Sequence, residues 1–416
     1  MRPRDDDRAG DTPEDGRAPV EAQSRRRLHD LREDPRFLRE AGRIRGDLDD
    51  PAVRDGLIWS LLCEPGDGIA GALIDALGPT AALDAAFDDV RVSAAADTER
   101  PAAAALRDAR KRWGPRLAPE PHLGGLRTAA RIGARLLLPT DPDWPASLGD
   151  LGAHAPRALW LRGDPAALQA PGVAIVGARA SSSYGEHVAG ELAGELAADG
   201  LVVVSGGAYG IDGTAHRAAL RAGGRTVALL AGGVDRPYPS GHAQLFERVV
   251  ANGALVSELP CQSAPTKWRF LARNRLISAL ARATVVVEAG SRSGSLNTAG
   301  HAAELGRPLG AVPGPITSTT SAGCHRLLRD YAAQCVTSAA DVRELLGAAR
   351  TSPPRAPEEP DLIRLADALN VRRARDPLEL ARRCGLSEDR VVALLGILEL
   401  DGSAVRTDGG WRAVRP

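Results

Sequence analysis

The chain has 416 residues, 53 basic and 53 acidic side chains, a formal net charge of zero and 44% hydrophobic residues. That apolar fraction fills a core, which excludes wholesale disorder, and the length asks for two or three domains. Neutrality excludes a uniformly basic nucleic-acid coat but leaves room for a local basic patch.

Residues 1–50 are dense in Asp, Glu and Arg, with few large apolar side chains and no apolar stretch of a secretory signal. They predict a disordered charged tail, with a short helix near 24–41. Residues 51–130 predict a small helical domain of SAM or helix-hairpin-helix type. Leu57, Ile58, Leu61 and Leu62 keep helical spacing, as do Ile69, Leu73, Ile74 and Leu77, around the turn Glu64-Pro65-Gly66-Asp67-Gly68. In a helix-hairpin-helix such a turn holds a phosphate, but Glu64 and Asp67 would repel one, which favours a packing role. Short strands are predicted at 135–139 and 158–161.

From residue 173 the pattern becomes regular. Apolar strands at 173–176, 201–205, 226–231, 255–256, 284–288 and 309–312 alternate with helices at 186–198, 212–222, 242–251, 268–281 and 295–305. Strands apolar on both faces, separated by helices, define an α/β fold: a doubly wound, Rossmann-like parallel sheet across residues 131–346. A proline-rich linker follows at 347–360, and residues 361–416 read as three helices and two short strands around Asp408-Gly409-Gly410, a winged helix. Apolar runs are short and broken, so no membrane span is expected. Cys63, Cys261, Cys324, Cys335 and Cys384 stand far apart without metal spacing, so no metal or cofactor is expected, and isolated thiols suit a reducing cytoplasm.

Ligands of doubly wound sheets sit beyond the carboxyl ends of the strands. Four Gly-rich loops fall there: Gly177-Ala-Arg179-Ala-Ser-Ser-Ser183-Tyr184-Gly185, Ser205-Gly206-Gly207-Ala-Tyr209-Gly210-Ile-Asp212, Ala231-Gly232-Gly233-Val-Asp235, and Gly290-Ser-Arg-Ser293-Gly294-Ser295-Leu-Asn-Thr298. Gly lets a backbone approach an anion, and each loop opens a helix whose N-terminus favours negative charge. Gly177, Gly206, Gly210, Gly232, Gly294 and Ser295 are the candidate phosphate-loop residues. The G-x-G-x-x-G dinucleotide spacing, the G-x-x-x-x-G-K-[ST] loop and a Ser/His/Asp triad are all missing. Residues 259–287 hold Lys267, Arg269, Arg273, Arg275 and Arg282 and no acid, although only two of the 53 basic residues in the chain are Lys. Lys267, Phe270 and Asn274 share one helical stripe. A cation beside an aromatic ring suits single-stranded nucleic acid; equally, Phe270 fits a core position with the cations solvated.

These motifs together resemble the DprA (Smf) family of DNA-processing proteins. The likeness runs from about residue 136 to 341, through Val173-Ala-Ile-Val-Gly-Ala-Arg179, Ser205-Gly-Gly-Ala-Tyr-Gly-Ile-Asp212, Tyr238-Pro239, Phe270-Leu-Ala-Arg-Asn274-Arg275 and Ser293-Gly-Ser-Leu-Asn-Thr-Ala299. The resemblance implies a homodimer that binds single-stranded DNA, loads RecA for recombination and natural transformation, and has no catalytic turnover. It assigns DNA contact to Arg179, Lys267 and Phe270, with Ser181, Ser183, Gly207, Asn274 and Arg275 lining the same pocket. Tyr209 departs from the family, which commonly carries Arg or Lys there; it removes a cation or adds a stacking surface. The alternative is a LOG-type nucleotide phosphoribohydrolase on the same rim, but its P-G-G-x-G-T-x-x-E loop is here residues 290–298, without the Glu. In the winged helix, the expected recognition helix carries Glu388, Asp389 and Glu399 against Arg390, which points to protein contact or self-contact rather than duplex DNA.

Overall fold

The computed structural model describes residues 20–87, 103–348 and 360–414. They divide into two compact units, residues 1–348 and 349–416.

The first unit begins with helices α1 (Val20–Glu33), α2 (Pro35–Gly42), α3 (Pro51–Leu62), α4 (Gly68–Ala86), α5 (Ala103–Trp113) and α6 (Glu120–Arg131). Asp34, Asp50 and Asp67 cap α2, α3 and α4 with their carboxylates, and Pro opens α2 and α3. The expected tail is therefore corrected for residues 20–50, while residues 1–19 lie outside the described residues. Leu31 and Phe37 are fully buried, and Arg32 reaches into the core to bind the buried Asp55 at 2.9 and 2.8 Å and Asp84 at 2.6 Å. Charges that read as solvated are spent on internal pairs. Helix α4 is long and apolar enough to cross a membrane by length and composition. Its backbone breaks at Gly78 (φ 75°, ψ 163°) before Pro79, however, so neither half approaches the ~20 residues a span needs.

The sheet contains β1 (Arg135–Leu137), β2 (Leu159–Gly163), β3 (Gly172–Val176), β4 (Val202–Ser205), β5 (Thr226–Leu229), β6 (Gly253–Ser257), β7 (Ala283–Val286), β8 (Leu309–Ala311) and β9 (Gln334–Cys335). Between them run α7 (Ser183–Ala198), α8 (Ile211–Arg221), α9 (Ala243–Asn252), α10 (Lys267–Leu280), α11 (Ser295–Glu304) and α12 (Ala322–Asp330), and α13 (Ala339–Leu345) follows β9. The order is β1-β2-β6-β5-β4-β3-β7-β8-β9, parallel from β6 to β9 and antiparallel at β1 and β2. The sheet is thus mixed and mostly parallel. Val173 and Ile175 face one core layer, and Ala174 and Val176 the other, the period of two that a doubly covered strand requires.

Helices and sheet share one continuous core. A single apolar cluster runs from Leu31, Trp59 and Trp113 to Trp160, Phe246 and Leu255. The turn between α3 and α4 docks on α10. Glu64 pairs with Arg269 at 2.8 Å, and the Gly66 N–H donates to Glu258 at 3.1 Å. That amide is occupied, so the turn packs and presents no phosphate site.

The second unit contains α14 (Pro360–Ala368), α15 (Pro377–Cys384), α16 (Glu388–Leu400) and the hairpin β10 (Ala404–Thr407) and β11 (Gly410–Ala413). Leu365, Leu380, Val391, Leu394 and Leu395 form its core. Ser387 caps α16 and accepts from the Arg390 N–H, so Glu388 and Asp389 sit in a first turn where negative charge is favourable.

Candidate nucleic-acid interface

The chain steps from β3 through β4 and β5 to β6 on one side, then returns to lay β7, β8 and β9 on the other. The strand order reverses between β3 and β7. Beyond their carboxyl ends lies a cleft of about 810 Å³, lined by Gly177, Arg179, Asp212, Phe270, Arg273, Asn274, residues 290–295, Thr298, Thr319 and Thr320. This is where a doubly wound sheet places its ligand.

Packing sets most of the loop glycines. Gly210 has φ 73°, and a Cβ there would lie 2.3 Å from the Ala178 carbonyl; the adjacent Ile211 N–H donates to that carbonyl at 3.2 Å. A Cβ on Gly206 would strike the Arg273 guanidinium at 2.6 Å. Gly207 and Gly232 are packed in the same way, against the Phe246 ring and the Ser263 carbonyl. The Gly206 and Ala208 amides are spent on Asp212, at 3.1 and 3.3 Å. Of the six candidate phosphate-loop residues, only Gly177, Gly294 and Ser295 line the cleft, and Gly294 faces open space. The rim that the sequence spreads over four loops narrows to those after β3 and β7.

Arg179 is exposed, with its guanidinium 4.9 Å from the centre of the Phe270 ring. Lys267, the first residue of α10, is exposed and has no ion pair among the described residues. Phe270 is half-buried, neither core nor free. Arg273 lies 5.9 Å from its ring centre, and the Tyr238 ring stands edge-on at 5.8 Å. Asn274 ties α10 to the opposite wall, donating to Gly294 O at 3.3 Å and Asn297 Oδ1 at 3.2 Å. Ser181 Oγ donates to Glu186 at 2.9 Å, and Ser183 is exposed at the start of α7. Arg275 does not line the cleft and is corrected. It is buried against Glu258 at 2.7 Å and donates to His154 O at 3.1 Å.

Sequence reasoning missed four residues. Arg273 is buried under the cleft and donates to Gly206 O at 2.9 Å and to Leu229 O. Burial pushes its guanidinium down to about 10, opposed by Asp212, so it stays charged at neutral pH. Burial also pushes the Asp212 carboxyl above its ordinary range, against Arg273 and two backbone N–H groups. Glu288 is buried; it accepts from Ser182 Oγ at 2.6 Å, Ser182 N–H at 2.9 Å and Thr320 Oγ1 at 3.1 Å, binding the two sides of the cleft mouth. Arg292 is exposed on the wall with no ion pair among the described residues. For Arg292 and Asp212 the available signal was their place in the quoted Gly-rich loops, and for Arg273 its place in the basic run at 259–287; Glu288 is marked only by topology.

A buried histidine supports the β4 side. Thr226 Oγ1 donates to Val203 O at 2.6 Å and so accepts from His216 Nδ1–H at 2.7 Å; Nε2 has no partner among the described residues. Burial, with the nearby His242, Arg217 and Arg273, lowers the imidazole to about 3. An unfolded His takes its proton near 6.5, so the neutral ring contributes stability that is complete above that pH and declines toward 3. The unfolding free energy is expected to fall with acid by up to about 1.4 kcal/mol per pH unit from this group. His216→Gln should show a shallower slope between pH 6.5 and 4.5 in denaturant titrations; an unchanged slope refutes it.

Fold and site define a doubly wound α/β protein with a cation-lined cleft at its strand-order reversal and a winged helix. The family model for DNA recombination-mediator protein A matches residues 135–347, and that for the DprA winged helix domain matches residues 349–410. A putative DNA processing protein DprA of Mycobacterium tuberculosis H37Rv is 48% identical over 311 residues, covering 70% of this chain and 79% of that protein. Protein Smf of Escherichia coli K12 is 39% identical over 271 residues, covering 62% and 72%. The X-ray structure of DprA from Streptococcus pneumoniae superposes with a TM-score of 0.57 at 30% identity, covering 70% of this chain and 97% of that one. The chain belongs to the DprA (Smf) family of DNA-processing proteins.

Proposed function

We propose that the chain binds single-stranded DNA in the cleft between β3 and β7, protects it and passes it to RecA, acting as a cytoplasmic homodimer in recombination and natural transformation. One observation carries the DNA reading. Arg179 and Arg292 line a cleft whose rim holds the half-buried ring of Phe270, Lys267 stands one helical turn before that ring, and none of the three cations is ion-paired among the described residues. Arg179 forks onto a phosphate, Lys267 acts as a point charge, and Phe270 takes a base on its face. Asn274 holds the walls in register; Ser181 and Ser183 stand at the mouth, near the strand's backbone. Family membership supports the RecA, dimer and compartment assignments, and the unpaired thiols agree with the last.

The reading includes no turnover. Asp212 is the one carboxylate among the described residues lining the cleft, and its Oδ2 is held by two amides. Thr298 stands where the LOG-type loop ends in Glu. Release of free base from a nucleoside monophosphate would overturn this part.

The test is binding of a fluorescent oligo-dT against duplex of equal length at two salt concentrations. Strong single-strand preference is expected. Arg179→Ala and Lys267→Ala should each weaken it and reduce the salt slope by about 0.7, one phosphate contact each. Phe270→Ala should cost about 1–3 kcal/mol. Equal, weak binding to both nucleic acids would turn the cleft toward small phosphorylated ligands. In the same titration a chain ending at residue 348 should bind oligo-dT as the full chain does, because α16 exposes Val392, Ile397 and Leu400 beside acids, a surface for protein rather than phosphate.

A further inference from the structure

We infer that Tyr238 and Tyr209 form an aromatic ledge that extends the cleft and stacks unpaired bases beyond Phe270; this rests on the single-stranded DNA reading. The chain is poor in aromatics, with six Trp, four Tyr and four Phe. Six of these fourteen rings, Trp59, Trp113, Trp160, Phe37, Phe87 and Phe246, are core residues, fully buried or nearly so. Tyr238 and Tyr209 are instead 52% and 49% exposed. Lone exposed aromatics need no explanation, but these stand together beside a cationic cleft.

The geometry makes the ledge continuous. The Tyr238 ring centre lies 5.8 Å from that of Phe270, with the planes at 65°. Arg179 covers Phe270 at 4.9 Å, and a guanidinium plane is itself a stacking partner for a base. Tyr209 is fixed edge-on to His242 at 4.8 Å. Its hydroxyl abuts Gly241, where a Cβ would lie 2.5 Å away, three residues after Tyr238. The neighbouring Gly210 packs on the Arg179 carbonyl, so the loops after β3, β4 and β5 bring both tyrosines and Arg179 to one rim. Neither tyrosine hydroxyl has a hydrogen-bond partner among the described residues, so neither ring is held there by its polar end. Arg236, largely exposed and 3.7 Å from Asp235, adds a cation to the same loop. Half-exposed rings next to cations are what an unstacked strand requires, whatever its sequence.

The experiment compares oligo-dT with a strand of equal length made of abasic sites, which keeps every phosphate and removes every base. Tyr238→Ala should weaken oligo-dT about tenfold and leave the abasic strand unchanged, Tyr238→Phe should bind as wild type, and Tyr209→Ala should follow Tyr238→Ala with a smaller loss. A strand carrying 5-iodouracil, irradiated on the wild-type protein, should cross-link to Tyr238 or Tyr209. Equal losses on both strands, no loss in either alanine variant, or cross-links confined to Phe270 would overturn the ledge while leaving the cleft reading intact. Failure of the wild type to bind oligo-dT would overturn both.

Discussion

Arg273→Met is expected to lower the free energy of unfolding by about 3–5 kcal/mol, because it removes a buried cation that two backbone carbonyls and the buried Asp212 carboxylate rely on. Met fills most of the space, so the loss isolates charge and hydrogen bonding from cavity formation. Three things fail together. Gly206 O and Leu229 O, at the carboxyl ends of β4 and β5, lose their donor. Asp212 loses the cation that opposes its burial. Phe270 loses the guanidinium beneath it. Oligo-dT affinity should therefore fall with stability, because the Gly206 loop and the Phe270 ring are positioned by one side chain. Arg273→Lys keeps the charge but not the planar fork, and should recover less than half of the loss. Urea unfolding followed by circular dichroism, with oligo-dT titration of the folded variants, provides the check. A stability change under about 1 kcal/mol would mean that the charge is not needed beneath the cleft.

What could be read from the chain and what could not have separate physical causes. Strands such as 173–176 and 284–286 are apolar on both faces, and a run of that kind between helical periods has few other solutions. Lys267 and Phe270 are legible as a cation and a ring on one helical stripe, whereas Arg179 rests on the resemblance to the DprA family. The helix expected near 24–41 overlaps α1 and α2, but their packing is hidden because Arg32 and Asp55 look solvated until a fold brings residues 23 apart in sequence into one buried pair. The antiparallel β1 and β2 are short and have no partner that local periodicity can announce. The glycines misled most. The sequence shows where glycines gather, not what each one faces: a Cβ would meet open space at Gly294 and the protein's own guanidinium at Gly206. Arg273 and Arg275 flank Asn274 with identical chemistry, and two residues on a helix turn them toward opposite fates: one under the cleft, the other against the α3–α4 turn.

Arg275→Met is accordingly expected to destabilise by about 3–5 kcal/mol without changing the oligo-dT affinity of the folded protein. The guanidinium donates to Glu258 Oε1 at 2.7 Å, which also takes the Gly66 N–H at 3.1 Å, and to His154 O at 3.1 Å. His154 Nδ1 meets Gly66 O at 2.9 Å, closing a ring of contacts through which α10 holds the helical region on the sheet. Both ionised side chains are nearly enclosed, at 7% and 11% exposure, so solvent screens the pair little and loss of either partner strands a charge. Glu258→Gln should cost a comparable amount. The double variant should cost less than the sum, since the second change removes the charge that the first left unpaired. Urea unfolding of the four proteins gives the coupling, and oligo-dT titration below the transition gives the affinity. If Arg275→Met keeps its stability while oligo-dT affinity falls tenfold, Arg275 belongs to the DNA site after all. If stability falls and affinity holds, its conspicuous place beside Asn274 serves to fasten the helix that carries Lys267 and Phe270.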